Sequence, residues 1–326
     1  MKATARAHPI QGLIKYHGLR DVPKRYPYHD SISVCTAPSH TTTTVEFDPD
    51  LEESTYVVDG EELTGEGTRR MDRLLDRVRE LGNGSFDSVP VHLESENSFP
   101  SNVGLGSSSS GFAAAAMAAV AAADLDLSRP EISTIARRGS TSAARSVTGG
   151  FSDLRAGASD ADCRSERIDS PLGDDLRIVV GLVPTYKETA WAHEEAEASH
   201  MFDARLAYVH GQLADMRSAI RSGSFDTVFE LAEQDTLSLA ATTMTGPDGW
   251  IYWQPETLSI FETVRDLRSD GVPAYFSTDT GATVYVNTVA EHVETVESAI
   301  SSLGIETMVW EVGGPAEVLP PEESLF

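Results

Sequence analysis

The segment that most restricts the folds open to this chain is a serine- and glycine-rich loop running directly into an alanine-rich stretch. Pro100-Ser101-Asn102-Val103-Gly104-Leu105-Gly106-Ser107-Ser108-Ser109-Ser110-Gly111 leads into the apolar run Phe112–Ala123. That run is shorter than the ~20 apolar residues a bilayer-spanning helix needs, so it predicts a helix in a globular domain. Glycines let backbone approach a ligand closely and adopt positive φ. Serines at a helix start cap orphan N–H groups and offer hydroxyls. The helix N-terminus adds backbone donors and positive dipole, which suits a polyphosphate. The loop lacks the lysine of G-x-x-x-x-G-K-[ST], which disfavours a P-loop NTPase. Taken alone, it also fits an ordinary flexible loop with a serine cap.

The chain has 326 residues, enough for two domains sharing one interface. A change of texture at Ser170-Pro171-Leu172-Gly173 suggests domains at 1–172 and 173–326. Lys plus Arg number 25 against 51 Asp plus Glu, a formal net charge of -26. Such a surface repels polyanions, so nucleic acid is excluded as a partner. Self-repulsion on this scale is relieved by screening, which points to a salt-rich cytoplasm. Cys35 and Cys163 are the only cysteines, too few for a four-cysteine zinc site and in keeping with a reducing compartment. MKATARAHPI lacks the apolar core of a signal peptide. A cytoplasmic protein without a membrane partner is therefore expected.

Periodicity gives an α+β pattern. Strands are predicted at Ser31–Thr36, Thr41–Phe47 and Val89–Ser95, and a helix at Gly67–Leu81 with Met71, Leu74, Leu75, Val78 and Leu81 in phase. Beyond the alanine helix, Pro130–Arg137 starts another, and Leu176–Val183 reads as a buried strand. Helices are predicted at Trp191–Ser222, Phe225–Ala241, Pro255–Ser269 and Val289–Leu303, with strands at Ala274–Ser277, Ala282–Asn287 and Ile305–Val312.

The loop resembles the Pro-x-x-x-Gly-Leu-[Gly/Ala]-Ser-Ser-[Ala/Ser] signature of the GHMP kinase superfamily. Three further segments resemble its mevalonate diphosphate decarboxylase branch. They are Ile14-Lys15-Tyr16-His17-Gly18-Leu19-Arg20-Asp21, with Asp30-Ser31-Ile32-Ser33-Val34 after it; Ala136-Arg137-Arg138-Gly139-Ser140-Thr141-Ser142-Ala143-Ala144-Arg145-Ser146, then Gly149-Gly150-Phe151; and Thr278-Asp279-Thr280-Gly281-Ala282. Weaker similarity runs through Lys187-Glu188-Thr189 and Asp235-Thr236-Leu237-Ser238.

The resemblance implies an α+β GHMP kinase fold, with an N-terminal ribosomal-protein-S5-like domain and a C-terminal ferredoxin-like α/β sandwich. It implies an enzyme that uses ATP and Mg²⁺. Gly104, Gly106, Ser107, Ser108 and Ser109 would hold the nucleotide, with Ser108 nearest the metal. Asp279 would orient or deprotonate a tertiary hydroxyl, Lys15 would neutralise charge at the transferred phosphoryl group, and Arg145 would grip a carboxylate. Tyr16, Ser140, Ser142 and Thr189 would complete the substrate site. A homodimer is allowed by the resemblance alone. Each residue also has a plain structural reading: Asp279 as a turn aspartate, Arg145 as a surface ion pair, Lys15 as an edge-strand gatekeeper, and Ser140 and Ser142 as caps. Their joint occurrence with the loop favours function.

The chain departs from the family pattern in places. Leu19 replaces a lysine that helps bind the substrate's diphosphate, His17 a tryptophan, and Ile10 an asparagine. Thr283 follows Ala282 where the family has Pro-Asn, and Ala240 takes a position often held by histidine. Exchanging a cation for an apolar side chain suits a monophosphate. The reading that follows is a phosphomevalonate decarboxylase, making isopentenyl phosphate from mevalonate 5-phosphate. The alternatives are a diphosphate-specific decarboxylase, a GHMP kinase that does not decarboxylate, and a non-catalytic sensor of the same fold. Arg20, Lys24, Arg25 and Arg69 are candidates to replace the missing charge.

Overall fold

The computed structural model describes residues 1–82, 84, 86–100, 105–184 and 189–326, the side chains of 189 and 190 excepted. In chain order the elements begin β1 (Lys2–Ala7), β2 (Ile10–Ile14), β3 (Leu19–Asp21), β4 (Tyr26–Pro27), β5 (Ser31–Ala37), β6 (Thr41–Phe47), β7 (Thr55–Val58) and β8 (Glu61–Glu62). Then come α1 (Glu66–Leu81), β9 (Val91–Asn97), α2 (Ser107–Ala122), α3 (Arg129–Gly139), α4 (Ala143–Thr148), β10 (Phe151–Leu154), β11 (Ser165–Ile168) and β12 (Leu176–Gly181). The remainder is α5 (Thr189–Ala198), α6 (Phe202–Ser222), α7 (Phe225–Met244), α8 (Pro255–Ser269), β13 (Tyr275–Ser277), β14 (Val284–Val289), α9 (Val293–Ser301), β15 (Thr307–Val312) and β16 (Glu317–Leu319).

One sheet has the order β16-β1-β6-β9-β7-β8. Helix α2 packs on it through a shared core that includes Ala113–Ala116, Val45, Leu93, Leu74 and Ile135. A helix apolar on every side must be buried on every side, and small alanine side chains let sheet and helices close on it. The second sheet runs β11-β10-β5-β15-β12-β14-β13, with β2 also paired to β5. It draws strands from both halves of the sequence: Ala37 and Thr36 pair with Glu311 and Val312. Its two faces carry separate cores, one around Leu213, Met216 and Phe229, the other around Ile260, Phe261 and Phe276.

Local signals explain several boundaries. Helix α3 starts where the Glu131 carboxylate accepts the Ser128 backbone N–H at 2.8 Å, with Pro130 in the first turn. Gln254 and Pro255 start α8 at the expected residue. The helix expected over 191–222 is two helices, α5 and α6. Ser199 divides them because its hydroxyl accepts the Met201 N–H at 3.1 Å and bonds Thr245 at 2.7 Å, so the local side-chain bond competes with the helix.

Candidate active site

Strand β2 carries Gly12 and ends beside Lys15, and it lies where the loop before α2 and the loop after β13 meet. At the first of these, Gly106 adopts φ 77°. Its left-handed turn opens α2, and Gly106, Ser108 and Ser109 line a small cavity there. Ser109 fastens this turn to β2, donating to Gly106 O at 2.6 Å and accepting from Ile10 N at 3.2 Å. On the other side, the Gly12 N–H donates to Asp279 Oδ1 at 3.1 Å. Both ties make β2 the common ruler for the nucleotide loop and for Asp279.

Lys15 is 5% exposed. Its Nζ donates to Thr236 Oγ1 at 3.0 Å and Ser277 Oγ at 3.1 Å, and lies 3.5 Å from Asp235 Oδ2. Burial lowers its pKa, while the charges of Asp235 and Asp279 work in the opposite direction. Asp235 also accepts the Lys15 backbone N–H at 3.0 Å and Arg205 Nη2 at 2.8 Å, and Arg205 donates to Lys15 O at 2.8 Å. A buried charge is tolerated when it is paired and fully hydrogen-bonded in this way.

Arg145 comes from α4, 3% exposed. Its Nε and Nη1 are sealed from solvent and have no hydrogen-bond partner among the described residues. Burial lowers its pKa, while the charges of Tyr16 and Asp279 raise it. A guanidinium stays protonated regardless, so these are open donors awaiting an acceptor. Its carbon lies 5.7 Å from the centre of the Tyr16 ring. Tyr16 stacks on His193 with centroids 5.3 Å apart, and His193 Nδ1 accepts the Gly18 N–H at 3.2 Å.

The cavity of about 100 Å³ is lined by Lys15, Tyr16, Gly106, Ser108, Ser109, Ser142, Arg145 and Asp279, together with His193 and Thr280. Eight residues expected from sequence therefore meet there. Ser107 and Ser140 open onto an adjoining cleft of about 610 Å³, which shares Tyr16, Ser108 and Ser142. Ser140 and Ser142 bond each other at 2.8 Å. Gly104 lies outside the described residues, as do Lys187 and Glu188. Thr189 is the first residue of α5, and its side chain is likewise outside them. Of the departures, Leu19 faces the larger cleft, and the Thr283 hydroxyl accepts the Val183 N–H at 3.3 Å.

A third cavity, about 570 Å³, opens on the far side of Ser107 and Ser108 and is lined by Asn97, Ser95, Thr64, Met71 and Phe112 among others. Sequence gave no sign of it, because its walls come from β7–β9 and α1. Gly12, Arg205 and His193 were also unmarked: each acts through a contact some 100 or more residues away in sequence. Among the described residues no group of three His, Cys, Asp or Glu side chains is placed to hold a metal, and no helix is long and apolar enough to cross a membrane.

Comparison with known proteins identifies the family and the fold. The family described as diphosphomevalonate decarboxylase-like N-terminal domain matches residues 7–165. The phosphomevalonate decarboxylase of Haloferax volcanii is 66% identical over 327 residues, covering 100% of both chains. The mevalonate diphosphate decarboxylase of Staphylococcus aureus superposes with a TM-score of 0.92 at 26% identity, covering 98% of each chain. MDDEF in complex with MVAPP, AMPPCP and magnesium gives 0.91 at 29% identity, over 98% of this chain and 99% of that one. Motif, cavity and relatives agree: the chain belongs to the family of phosphomevalonate and diphosphomevalonate decarboxylases, on the GHMP kinase fold.

Proposed function

We propose that this protein catalyses the ATP-dependent decarboxylation of mevalonate 5-phosphate, giving isopentenyl phosphate, CO₂, ADP and phosphate for isoprenoid biosynthesis. The observation that carries the reading is the meeting of Lys15, Arg145 and Asp279 in one small cavity at the N-terminus of α2. In the reaction, the C3 hydroxyl oxygen bonds the γ-phosphorus of ATP, the bond to the β,γ-bridging oxygen breaks, and ADP departs. The C3–O bond then breaks to release phosphate. The electron pair of the C1–C2 bond becomes the C2=C3 double bond as CO₂ leaves.

Asp279, fixed by the Gly12 N–H, orients the C3 hydroxyl and is the acceptor for its proton. Lys15, paired with Asp235 at 3.5 Å, offsets charge on the phosphoryl oxygens. The Arg145 guanidinium, whose Nε and Nη1 have no partner among the described residues, takes the C1 carboxylate. Tyr16, Ser140, Ser142 and Thr189 belong to the substrate side. The backbone of Gly104, Gly106, Ser107, Ser108 and Ser109 serves the ATP phosphates, and the cavity beyond Ser107 suits the nucleoside. Mg²⁺, carried in by ATP, supplies charge neutralisation between β- and γ-phosphates, and the Ser108 hydroxyl is the donor that fits it. We also propose residues 1–172 as the nucleotide domain, residues 173–326 as its partner domain, and a salt-rich cytoplasm as the working environment.

The second reading is the diphosphate enzyme, favoured by the size of the cleft beyond Tyr16. Paired assays decide: ¹⁴CO₂ release from mevalonate 5-phosphate and from the 5-diphosphate, in molar KCl. A kcat/KM preference for the monophosphate is expected. A large preference for the diphosphate would reverse the assignment, and ADP release without CO₂ would leave only a kinase.

A further inference from the structure

The cleft that continues past Tyr16 is lined by side chains of both charges. Of these, Arg25 stands in the β3–β4 hairpin, with φ 56°. A residue with a Cβ is strained in this left-handed region, and such strain gathers at functional positions. Three bonds hold it there. Arg25 N–H donates to Val22 O at 3.2 Å, the Thr141 hydroxyl donates to Arg25 O at 2.9 Å, and the buried Arg137 guanidinium donates to Lys24 O. The side chain lies beside Tyr16, and its Nε is sealed without a partner among the described residues.

Beside it is Arg70 of α1, whose Nε donates to Gly139 O at 2.6 Å and whose guanidinium lies 4.6 Å over the Phe112 ring. Burial, then the charge of Arg25, pulls the Arg70 pKa down. Neither guanidinium has a carboxylate within ion-pair distance among the described residues. Glu66, the nearest acid, is taken by Arg69 and Arg73 at 2.8 and 2.6 Å. In a chain with twice as many acidic as basic side chains, two enclosed and mutually repelling cations call for an anion between them.

The other candidates for the missing charge are committed elsewhere. Arg20 donates to Pro27 O and Ala156 O. Lys24 is exposed, and Arg69, at the rim of the same cleft, is 65% exposed and paired with Glu66.

Acidic side chains from α5 line the same cleft. Glu197 accepts the Leu19 N–H at 2.6 Å, and it lines the cleft with Glu194 and the apolar Leu19. We propose that Arg25, with Arg70 beside it, clamps the C5 phosphate, and that Glu197 and Glu194 confine the cleft to a single phosphate group. The proposal rests on the substrate being a phosphorylated mevalonate. A second phosphate would face two carboxylates and a leucine, an arrangement that repels the wrong ligand as well as attracting the right one.

The test uses the full chain in molar KCl. Calorimetric titration with mevalonate 5-phosphate alone reads the clamp without turnover. Arg25→Gln should weaken binding and raise KM on the order of 30–100-fold, with KM for ATP unchanged, and Arg25→Lys should restore part of it. Should Arg25→Gln fail to fold, Arg70→Gln should weaken calorimetric binding of mevalonate 5-phosphate to a similar extent; Arg70 also lines the cavity beyond Ser107, so a rise in its KM for ATP is compatible with the clamp. Glu197→Gln should improve the diphosphate-to-monophosphate ratio of kcat/KM at least tenfold. Binding by folded Arg25→Gln or Arg70→Gln within twofold of wild type overturns the clamp, and an unchanged ratio in Glu197→Gln overturns the acidic confinement. A wild-type chain that binds mevalonate 5-phosphate in an Arg25-dependent way but releases no CO₂ overturns the proposed function and supports the clamp.

Discussion

Gly12→Ala is a sharp probe of the active-site geometry, because a single methyl group would press on both Asp279 and Lys15. A Cβ at Gly12 would sit 2.8 Å from Asp279 Oδ1 and 2.8 Å from Lys15 Cγ, against an ordinary approach of 3.4 Å or more. Each neighbour must therefore withdraw by roughly 0.6 Å, with an overpacking cost of ~1–3 kcal/mol. Misplacing a catalytic group by 1 Å costs on the order of 100-fold, so ~0.6 Å costs about 15-fold in kcat. That is ~1.6 kcal/mol of barrier. The nucleotide loop is tied to β2 through Ile10 and not through Gly12, so KM for ATP should hold. The assay is coupled ADP release at saturating substrates, beside a thermal melt. A folded Gly12→Ala protein with kcat within threefold of wild type would refute the close register of Asp279 against β2.

Three other outcomes follow from the same contacts. Arg145→Lys keeps the charge and loses the fork, so kcat/KM for CO₂ release should fall on the order of 100-fold; unchanged kinetics would remove Arg145 from the carboxylate. Asp160 is held below the usual carboxylate range, since Arg137 and Arg138 outweigh the upward push of its burial. The stability it contributes is thus complete above that range and lost as pH falls through its lowered folded value. Melting curves from pH 5 to pH 2.5 should drop less steeply for Asp160→Asn, and parallel curves would refute the coupling. Far-UV circular dichroism should show the helices lost as KCl is removed, given the net charge of -26; full helicity without salt would end the halophilic reading.

Much of this site was legible because its chemistry sits in short motifs. Tyr16 follows Lys15, and Ser140 and Ser142 precede Arg145, so each motif is read from adjacent residue types even where the element that carries it, β2 or α4, is not. Helix α1 was readable from Met71, Leu74, Leu75 and Val78, all buried in one stripe. The short strands β3, β4, β7, β8, β10, β11 and β16 were not. They carry two to four residues each, too few for alternation to register. Strand β2 is buried along its whole length, so it shows no alternation either. Arg70 escaped notice for a different reason. It sits one residue from Arg69 on the same helix, and only packing decides that Arg69 stays largely exposed at the rim of the cleft while Arg70 is half-buried in it.

The contacts that fix the lysine and the aspartate also bear on how the chain reaches its working state. Gly12 meets Asp279 across 267 positions, and Lys15 meets Asp235 and Arg205 across 220 and 190. Closing such wide loops is slow compared with forming α2 or α7 from neighbouring residues. During renaturation, helical signal should therefore return well before turnover, and recovered activity is a report that the whole chain has assembled.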